Sequence, residues 1–370
     1  MTLPVHAHLS RRDFLKFMGV AGAVAIGRQV LYTYTPWLNY DEQVNQENQM
    51  FDNTSSNHMV ELVRSATLAA NSHNTQPWKF AIDRDIIEIH PDYSRHLPVV
   101  DSNDRELWIT QGCALENLLL AAQAAGYAPE VAYPDANEVI RVQLTADKPQ
   151  VIPLFNAISL RQTTRSVYNG QPVPAVDLDT LQSLPLEPGV SLRYLTTPAE
   201  MESTLEYVNQ GNQRQYADRA FVDELISWLR FNKKEAMSTL DGLYSRCSGN
   251  PEVPCWLGQM FVRGTKPQRQ AEMDAKKLRS SSGVVIITSA SDDKTSWVRT
   301  GQVYERLALK MTGLNIKSAF LNQPIEVSTL RGQFQSAMGL GSSLPQLLVR
   351  FGYAEAMPKS LRRPVEDVLI

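Results

Sequence analysis

The chain has 370 residues, of which 43% are hydrophobic and 20% charged, a composition that excludes disorder or fibrous structure over most of its length. Lys and Arg number 36 against 39 Asp and Glu, and this net charge of −3 argues against a generally basic nucleic-acid-binding protein. Three cysteines are too few for a disulfide scaffold or a four-cysteine zinc site. No pair among the six histidines has the helical i, i+4 spacing, so we predict no metal site.

The N-terminus carries an export motif. Residues 10–16 read S-R-R-D-F-L-K and precede an apolar stretch at 17–26 that is short for a membrane span. The motif resembles a twin-arginine signal, which implies contact with the twin-arginine export machinery and a location in the periplasm or on the outer face of the cytoplasmic membrane. We predict a signal or membrane anchor over 1–35, followed by a polar linker over 36–57.

Hydrophobic periodicity then predicts strands interleaved with helices, which is typical of an α+β fold. The predicted strands lie at 80–82, 86–90, 140–144, 192–195, 284–289 and 346–351, and the predicted helices at 59–70, 107–125, 199–211, 218–237 and 302–312. A break in the pattern near 147–155 predicts two halves, 58–152 and 153–370. The stretch at about 199–280 matches nothing in the first half and is predicted to be a mostly helical insertion.

One motif occurs twice in the chain. Its residues are Trp108, Ile109, Gly112, Glu116, Leu118 and Leu120, and the matching types recur at Trp297, Val298, Gly301, Glu305, Leu307 and Leu309. Every matched pair is separated by the same number of positions. The shared Trp and Gly and the constant offset predict a duplicated strand–helix unit.

Four segments carry the residue types of a polar ligand site. The loop at 71–80 reads N-S-H-N-T-Q-P-W-K-F, and a capped helix-to-strand turn would also explain it. The segment at 159–166 combines two arginines with hydroxyl groups that could converge on a phosphate. The segment at 321–327 reads L-N-Q-P-I-E-V, and 358–364 is basic. Solvated basic loops would equally account for the two basic segments.

Together the four segments resemble those of nitroreductase-like flavoproteins that bind flavin mononucleotide (FMN). The resemblance implies that the polar loop and the P-I-E segment lie beside the flavin ring and that the two basic segments hold the FMN phosphate. It also implies that N–H groups near Glu326 favour negative charge on the reduced flavin, although this chain has Val327 where the family has Gly. The implied cofactor-binding residues are Ser72, Asn74, Gln76, Arg161, Thr163, Arg165, Pro324, Ile325, Glu326, Lys359, Arg362 and Arg363. No catalytic side chain is implied, because the flavin carries the redox chemistry.

The order of the segments is similar to that of the Acg family of nitroreductase-like proteins. The ring-side loop lies in the first half, whereas the phosphate segments and P-I-E lie in the second. The resemblance implies a tandem nitroreductase-like fold, in which one chain forms a pseudo-dimer of two related halves and is monomeric. One complete FMN site and one lost site are implied.

The implied function is two-electron hydride transfer through FMN to a small organic acceptor such as a nitroaromatic or a quinone. Two features favour alternatives: export leads to a compartment where nicotinamide nucleotides are scarce, and the insertion could cover the flavin. The alternatives are an FMN-binding or storage protein with little turnover and a flavin electron-transfer subunit fed by a membrane partner.

The three cysteines fall into two groups. Cys247 and Cys255 lie in one predicted loop of a chain with an export motif, so a disulfide and two free thiols both stay open. Cys113 follows a Gly on an apolar helix and is predicted to lie in the core.

Overall fold

The computed structural model describes residues 39–47, 58–134 and 138–370. The twin-arginine motif and most of the predicted linker lie outside these residues. Within them, no helix is long and apolar enough to cross a membrane.

The first half consists of a four-stranded antiparallel sheet and one long helix. Its elements are α1 (Tyr40–Glu47), α2 (His58–Thr67), β1 (Trp78–Asp83), β2 (Ile86–Pro91), α3 (Arg105–Ala125), β3 (Tyr127–Ala132) and β4 (Ile140–Ala146). The strands lie in the order β1-β2-β4-β3. Each neighbouring pair is antiparallel.

The second half contains a second four-stranded sheet and most of the remaining helices. It opens with α4 (Ala175–Gln182) and β5 (Val190–Leu195). The insertion follows, with α5 (Pro198–Ala217), α6 (Arg219–Trp228), β6 (Leu229–Arg230), α7 (Lys233–Thr239), β7 (Leu243–Tyr244), α8 (Cys255–Arg263) and α9 (Pro267–Arg279). The chain returns through β8 (Gly283–Ser289), α10 (Lys294–Gly313), β9 (Lys317–Phe320), α11 (Gln323–Glu326), α12 (Ser328–Ala337) and β10 (Leu344–Gly352).

The two halves repeat one topology. The second sheet has the order β5-β8-β10-β9, and its neighbouring strands are all antiparallel, so it matches the first sheet strand for strand. In each half the long helix, α3 or α10, connects the second strand of the unit to the third. Where a short turn at Arg84-Asp85 joins β1 to β2, the whole insertion joins β5 to β8. This repeated path supports the duplicated unit that the sequence motif predicts.

The two long helices touch at the glycines of the repeated motif. A Cβ atom on Gly112 would lie 1.9 Å from the backbone oxygen of Val298, and one on Gly301 would lie 1.9 Å from that of Ile109. Ile109 and Val298 occupy matched positions of the motif, so the contact is reciprocal, as in the interface of a two-fold dimer. Glycine is required here because only its missing side chain lets the two backbones approach so closely.

The patterns of the central strands explain why the two sheets are covered differently. In β2, buried Ile87 and Ile89 alternate with more exposed residues, as expected for a sheet with one face on the core. In β8 every residue is buried: Val285 and Ile287 join the same core as β2, while the opposite face packs under the insertion. The continuous apolar sequence of β8 therefore reflects a sheet buried on both faces.

The insertion is mostly helical, as predicted, but its helices differ in detail. The predicted helix at 218–237 is in fact two, α6 and α7, separated by the short strand β6. Asn232 ends the extended stretch, and its side chain accepts a hydrogen bond from the Glu235 N–H, which caps α7.

The structure also contains elements that the sequence did not indicate. Helix α1 lies within the predicted linker, and its Tyr40 and Val44 are buried in a cluster with Tyr244 and Leu361. That part of the linker prediction is wrong, because two apolar residues one helical turn apart give the segment a buried face. Strands β3 and β9 were not predicted either; β3 is mostly half-exposed and β9 has only four residues.

The ends of the second half join both sheets. The basic segment at 358–364 has no regular secondary structure. Beyond it the chain pairs with β1, because the Phe80 N–H donates to Val368 O (2.8 Å) and the Ile370 N–H to Phe80 O (2.9 Å). Near residue 164 the chain pairs with β9 through a Thr164 N–H to Ser318 O bond of 2.9 Å. These two pairings place both basic segments near the polar loop of the first half.

Candidate functional site

Two adjoining cavities lie where the first half, the second half and the insertion meet. The larger has a volume of about 280 Å³ and the smaller about 40 Å³. Both are lined by Ala70, Asn71, Arg165 and Leu243, so they form one continuous site.

The larger cavity has a wall from each part of the protein. Its apolar lining comes mainly from the two halves and includes Leu97, Val100, Ile109, Cys113, Tyr304, Phe320, Leu321 and Leu347. The insertion adds Asn212, Gln215, Tyr216, Phe221, Leu225, Leu243, Gln270, Asp274 and Lys277. The cavity is therefore covered by helices that the first half does not possess.

The polar loop at 71–76 is held in an unusual backbone conformation. His73, Asn74 and Gln76 all have positive φ angles, of 49°, 55° and 53°. Residues other than glycine are found there only when their surroundings impose the conformation. The Asn71 side chain supplies one such restraint by accepting from the Gln76 N–H at 2.9 Å.

Gln76 braces the loop and lines neither cavity. Its Nε2 donates to Leu240 O (2.8 Å), and its Oε1 accepts from the Arg363 N–H (2.8 Å). Arg363 likewise lies outside the two cavities, and its guanidinium donates to Asp367 O at 2.7 Å. Both residues were predicted to bind the cofactor, but the structure gives them contacts that tie the loop to the C-terminal segment.

Ser72 and Asn74 each line one cavity. Ser72 lines the larger, and its hydroxyl donates to a carboxylate oxygen of Glu106 at 2.7 Å. Asn74 lines the smaller, where its Oδ1 accepts from Arg362 Nη1 at 2.8 Å. Its Nδ2 donates to the backbone oxygens of Gly242 and Leu361, each at 3.1 Å.

The smaller cavity gathers positive charge. Five residues predicted to hold a phosphate line it: Arg161, Thr163, Arg165, Lys359 and Arg362. Among the described residues that form this lining, four are cationic and none is acidic. The residues come from segments almost 200 positions apart, and the pairings with β1 and β9 bring them together.

Arg165 differs from the other cations of the smaller cavity. Arg161 lies 2.9 Å from the Glu305 carboxylate, and Arg362 donates to Thr67 O at 3.0 Å. For Arg165, the described part of the chain offers neither an ion pair nor a side-chain hydrogen bond, and burial lowers the pKa of its guanidinium. A partly desolvated cation without a counterion is costly, so this position is electrostatically suited to an anion. The Lys359 ammonium donates to Ser159 O, and burial also lowers its pKa.

The P-I-E segment forms α11 but presents different groups from those expected. Pro324 and Ile325 are buried away from both cavities, whereas Glu326 lines the larger one together with Leu321, Asn322 and Gln323. The N–H groups of Glu326 and Val327 donate to Asn322 O (2.9 Å) and Gln323 O (3.1 Å). Helix formation uses these two N–H groups, so the structure does not favour the role beside the flavin that the resemblance implies for them. Val327 has φ −80°, a conformation that does not require glycine.

The carboxyl of Glu326 belongs to an acidic network that sequence reasoning missed. Gln215 Nε2, from the insertion, donates to Glu326 Oε2 at 2.5 Å. Burial, reinforced by Glu106, raises the pKa of Glu326 to about 8. Asp101 caps α3 by accepting from the N–H groups of Glu106 and Leu107, each at 2.9 Å, and burial raises its pKa to about 6. Glu326, which lines the larger cavity, and Asp101, at the start of α3, can thus both be protonated near neutral pH.

His73 and the thiols complete the chemistry around the site. Burial, reinforced by Arg165, lowers the pKa of His73 to about 4, so the imidazole at the cavity wall is neutral at pH 7. Cys113, Cys247 and Cys255 are all free thiols. Cys247 Sγ lies 3.6 Å from the Tyr40 hydroxyl. No cluster of three or more metal-ligating side chains occurs within residues 39–47, 58–134 and 138–370.

Comparison with known proteins gives two findings about the sequence. Residues 8–26 match the family model described as the TAT (twin-arginine translocation) pathway signal sequence. A Mycobacterium tuberculosis protein named as a putative NAD(P)H nitroreductase is 23% identical over 316 residues, which cover 82% of this chain and 88% of the relative. A second from the same organism, the putative NAD(P)H nitroreductase acg, is 24% identical over 321 residues, covering 83% and 93% of the two chains. The twin-arginine signal and the resemblance to nitroreductase-like proteins that include Acg are both confirmed.

Two solved structures align with more than half of this chain at low sequence identity. The FMN-dependent nitroreductase NfnB from Mycobacterium smegmatis in complex with NADPH is 11% identical, covers 58% of this chain and 96% of its own, and has a TM-score of 0.39. An iodotyrosine deiodinase bound to FMN and 3-iodo-L-tyrosine is 12% identical, covers 57% and 95%, and has a TM-score of 0.37. The α+β fold is assigned from the strands and helices of this chain itself.

Proposed function

We propose that this chain is an exported, FMN-binding, nitroreductase-like oxidoreductase with one flavin site, formed between two related halves and a covering insertion. The observation that carries the proposal is Arg165, whose half-buried guanidinium lines both adjoining cavities and forms no ion pair with any residue that the structure describes. The curated relatives, which are named as putative NAD(P)H nitroreductases, support the same reaction class.

The residues of the smaller cavity fit the phosphate of FMN. A phosphate dianion would neutralise Arg165 and meet the Thr163 hydroxyl and the Lys359 ammonium. Arg161 would contribute less, because Glu305 already pairs with it at 2.9 Å. Arg362 would serve mainly to position Asn74, to which it donates at 2.8 Å.

The residues of the larger cavity fit a planar ring with polar edges. Ile109, Cys113 and Leu347 offer apolar contact, while Ser72 and Asn322 offer hydrogen bonds. FMN, when bound, would supply two-electron chemistry at the level of a hydride. The protein's part is to orient the ring, exclude water with the insertion and hold protons at Glu326, whose carboxyl is protonated at neutral pH.

The acceptor we propose is a small organic molecule such as a nitroaromatic or a quinone. One observation favours instead an FMN-binding protein with little turnover. The larger cavity, at about 280 Å³, is near the lower limit of ordinary ligand pockets, and it is walled by nine insertion residues. Little room is left for a nicotinamide ring beside a flavin unless the insertion moves.

We also propose a location and an assembly state for the protein. The twin-arginine signal carries folded proteins across the cytoplasmic membrane, so we place the protein in the periplasm or on the outer face of that membrane. The reciprocal contact of Gly112 and Gly301 already provides the pairing that a two-fold dimer would need, which supports a monomeric pseudo-dimer.

The cofactor assignment is tested by purifying the full chain and an Arg165→Ala variant and measuring bound flavin by absorbance and mass spectrometry. Arg219→Ala is the matched control, because its side chain is 91% exposed and pairs only weakly with Asp223. We expect FMN with the wild type and the control, and at least a 10-fold lower flavin occupancy for Arg165→Ala. Wild-type occupancy in Arg165→Ala would overturn the phosphate assignment, and no flavin in any protein after reconstitution would overturn the cofactor.

The reaction is tested separately on the flavin-loaded protein. Under anaerobic conditions, NADH or NADPH is added first and dithionite afterwards, and flavin absorbance is followed. Bleaching by the nicotinamide, with reoxidation by a quinone or nitroaromatic, supports the reductase. Bleaching by dithionite alone contradicts the nicotinamide-dependent reductase and favours the low-turnover alternative.

A further inference from the structure

The insertion carries a cluster of large apolar side chains on its outer surface. Trp256, Met260 and Phe261 on α8 are 56%, 54% and 57% exposed, and Met273 on α9 is 42% exposed. Among the described residues, these four account for a third of the twelve large hydrophobic side chains that are exposed. Single exposed apolar residues are normal, but several on two consecutive helices mark an interaction surface.

Helix α8 places small residues against the protein and large apolar residues toward the outside, the reverse of the usual arrangement. Its inner contact is made by Gly258, where a Cβ atom would lie 2.1 Å from the Phe231 ring, and by half-buried Val262. The larger side chains, Trp256 and Met260, are one helical turn apart and face outward. The small residues therefore pack against the rest of the protein, and the large ones are available to contact a partner.

The charged residues within this segment of the chain are all basic. From residue 253 to 271 the chain contains no Asp or Glu, while Arg263, Lys266 and Arg269 are all exposed. Arg263 lies 3.3 Å from Asp223, but no ion pair of Lys266 or Arg269 occurs in the part of the chain that the structure describes. Exposed Trp and Phe beside free basic residues are the composition of segments that lie at the surface of an anionic bilayer.

We propose that the outer face of α8, together with the turn into α9, binds the surface of an anionic lipid bilayer. The apolar side chains would enter the headgroup region, and Lys266 and Arg269 would meet the lipid phosphates. Helix α9 also lines the larger cavity through Gln270, Asp274 and Lys277, so the bilayer would lie next to the cover of that cavity. The binding proposal itself does not depend on the identity of the cofactor.

The test must separate this face from the N-terminal signal, which could bind a bilayer by itself. In the full chain with Cys255→Ser, an environment-sensitive fluorophore is attached to Phe261→Cys or, as the control, to Val176→Cys, another exposed apolar position on α4. Vesicles of phosphatidylcholine with and without phosphatidylglycerol are then added. We expect a blue shift and brighter emission at position 261 with phosphatidylglycerol vesicles, and no change at position 176.

Two further measurements make the proposal falsifiable. Lys266→Gln/Arg269→Gln should weaken binding to phosphatidylglycerol vesicles on the order of 30-fold, with an effect that shrinks as salt is raised. If the protein floats with the vesicles but emission at position 261 is unchanged, the proposal is overturned. The N-terminal signal segment alone would then account for binding to the bilayer. A blue shift on concentrating the protein without lipid would also overturn it and assign the face to a second copy of the chain.

Discussion

Replacing Gly112 by Ala should force apart the two long helices, α3 and α10, at the centre of the protein. The new Cβ atom would lie 1.9 Å from Val298 O, whereas ordinary contact begins at 3.4 Å. The difference between these two distances is 1.5 Å, and both partners are helix backbone, so no side chain can rotate away. Gly301→Ala should have the same effect, because its Cβ would meet Ile109 O at 1.9 Å.

The energetic cost can be approximated from the packing that such a shift disrupts. A gap of 0.5–1 Å already removes about a quarter to a half of the dispersion energy between facing atoms. Overpacking of a core generally costs about 1–3 kcal/mol, and here the displaced groups are two buried helices. We therefore expect a loss of at least about 3 kcal/mol, which lowers the melting temperature by about 4 °C in a protein of this size.

The assay is thermal and urea unfolding of the full chain, followed by circular dichroism. Gly332→Ala is the matched control, because it also lies inside a helix, α12, but nothing lies within 4 Å of its added Cβ. Alanine is the better helix former at an exposed position, so the control should gain about 0.5–1 kcal/mol. The Gly112→Ala/Gly301→Ala double variant should lose less than the sum of the two single losses, because the first methyl group already opens the crossing.

Unchanged stability of Gly112→Ala relative to the wild type would refute this reasoning. It would mean that the helices can separate by more than about 1 Å without cost, and that the reciprocal glycine contact does not hold the halves together. A loss as large in Gly332→Ala would be equally damaging, since it would show that any methyl group added to a helix is harmful.

Three further predictions concern buried charges and thiols. Glu305→Gln should destabilise the protein by about 3–5 kcal/mol in urea unfolding, because it leaves the buried Arg161 without its carboxylate. Burial raises the pKa of Glu326 to about 8, above its value near 4.5 in the unfolded chain, so the wild type should lose stability as pH rises between these values. Glu326→Gln should flatten that pH dependence in melting curves. Iodoacetamide should modify Cys255 in the native protein faster than the more deeply buried Cys247.

Each of these predictions has a contrary result. A mild effect of Glu305→Gln would show that the ion pair is open to water. Stability of Glu326→Gln that still falls from about pH 5 to 8 would assign the titration to another group. A linked Cys247–Cys255 peptide in non-reducing mass spectrometry would contradict two free thiols. In the charge experiments, Glu202→Gln serves as the control, because its ion pair with Arg279 is more than half exposed and should contribute little.

Local patterns in the sequence predicted the central strands and the two long helices. The alternation in β2 and the continuous apolar run in β8 are strong signals, since burial of one or both faces dictates them. The repeat was visible because the crossing of α3 and α10 requires glycine at one position in each helix. These features depend on interactions that are repeated within a few residues or fixed by close backbone contact.

The role of each residue within the site was not predictable from the sequence. It depends on the contacts that its side chain makes with residues distant along the chain. Arg161 and Arg165 are equivalent in sequence, yet only Arg161 lies beside a buried carboxylate, Glu305. Gln76 matches the motif of the polar loop, but its side chain is hydrogen-bonded to Leu240 O and to the Arg363 N–H. Glu106 and Gln215, which lie near Glu326, were not among the predicted site residues and come from α3 and the insertion.

The reciprocal crossing of the helices also changes what mutation can do to the protein. In a symmetric dimer encoded by one sequence, every substitution falls on both subunits at once. Here the two halves occupy one chain, so matched positions are free to differ: Arg306 pairs with Glu116 at 2.7 Å, while the position matched to Arg306 is Asn117. In the second half, an insertion with five helices joins β5 to β8, and this half also carries the cations of the smaller cavity. The first half has a short turn at the matched place and contributes the polar loop at 71–76. Two halves of like topology within one chain thus leave each side free to change by itself.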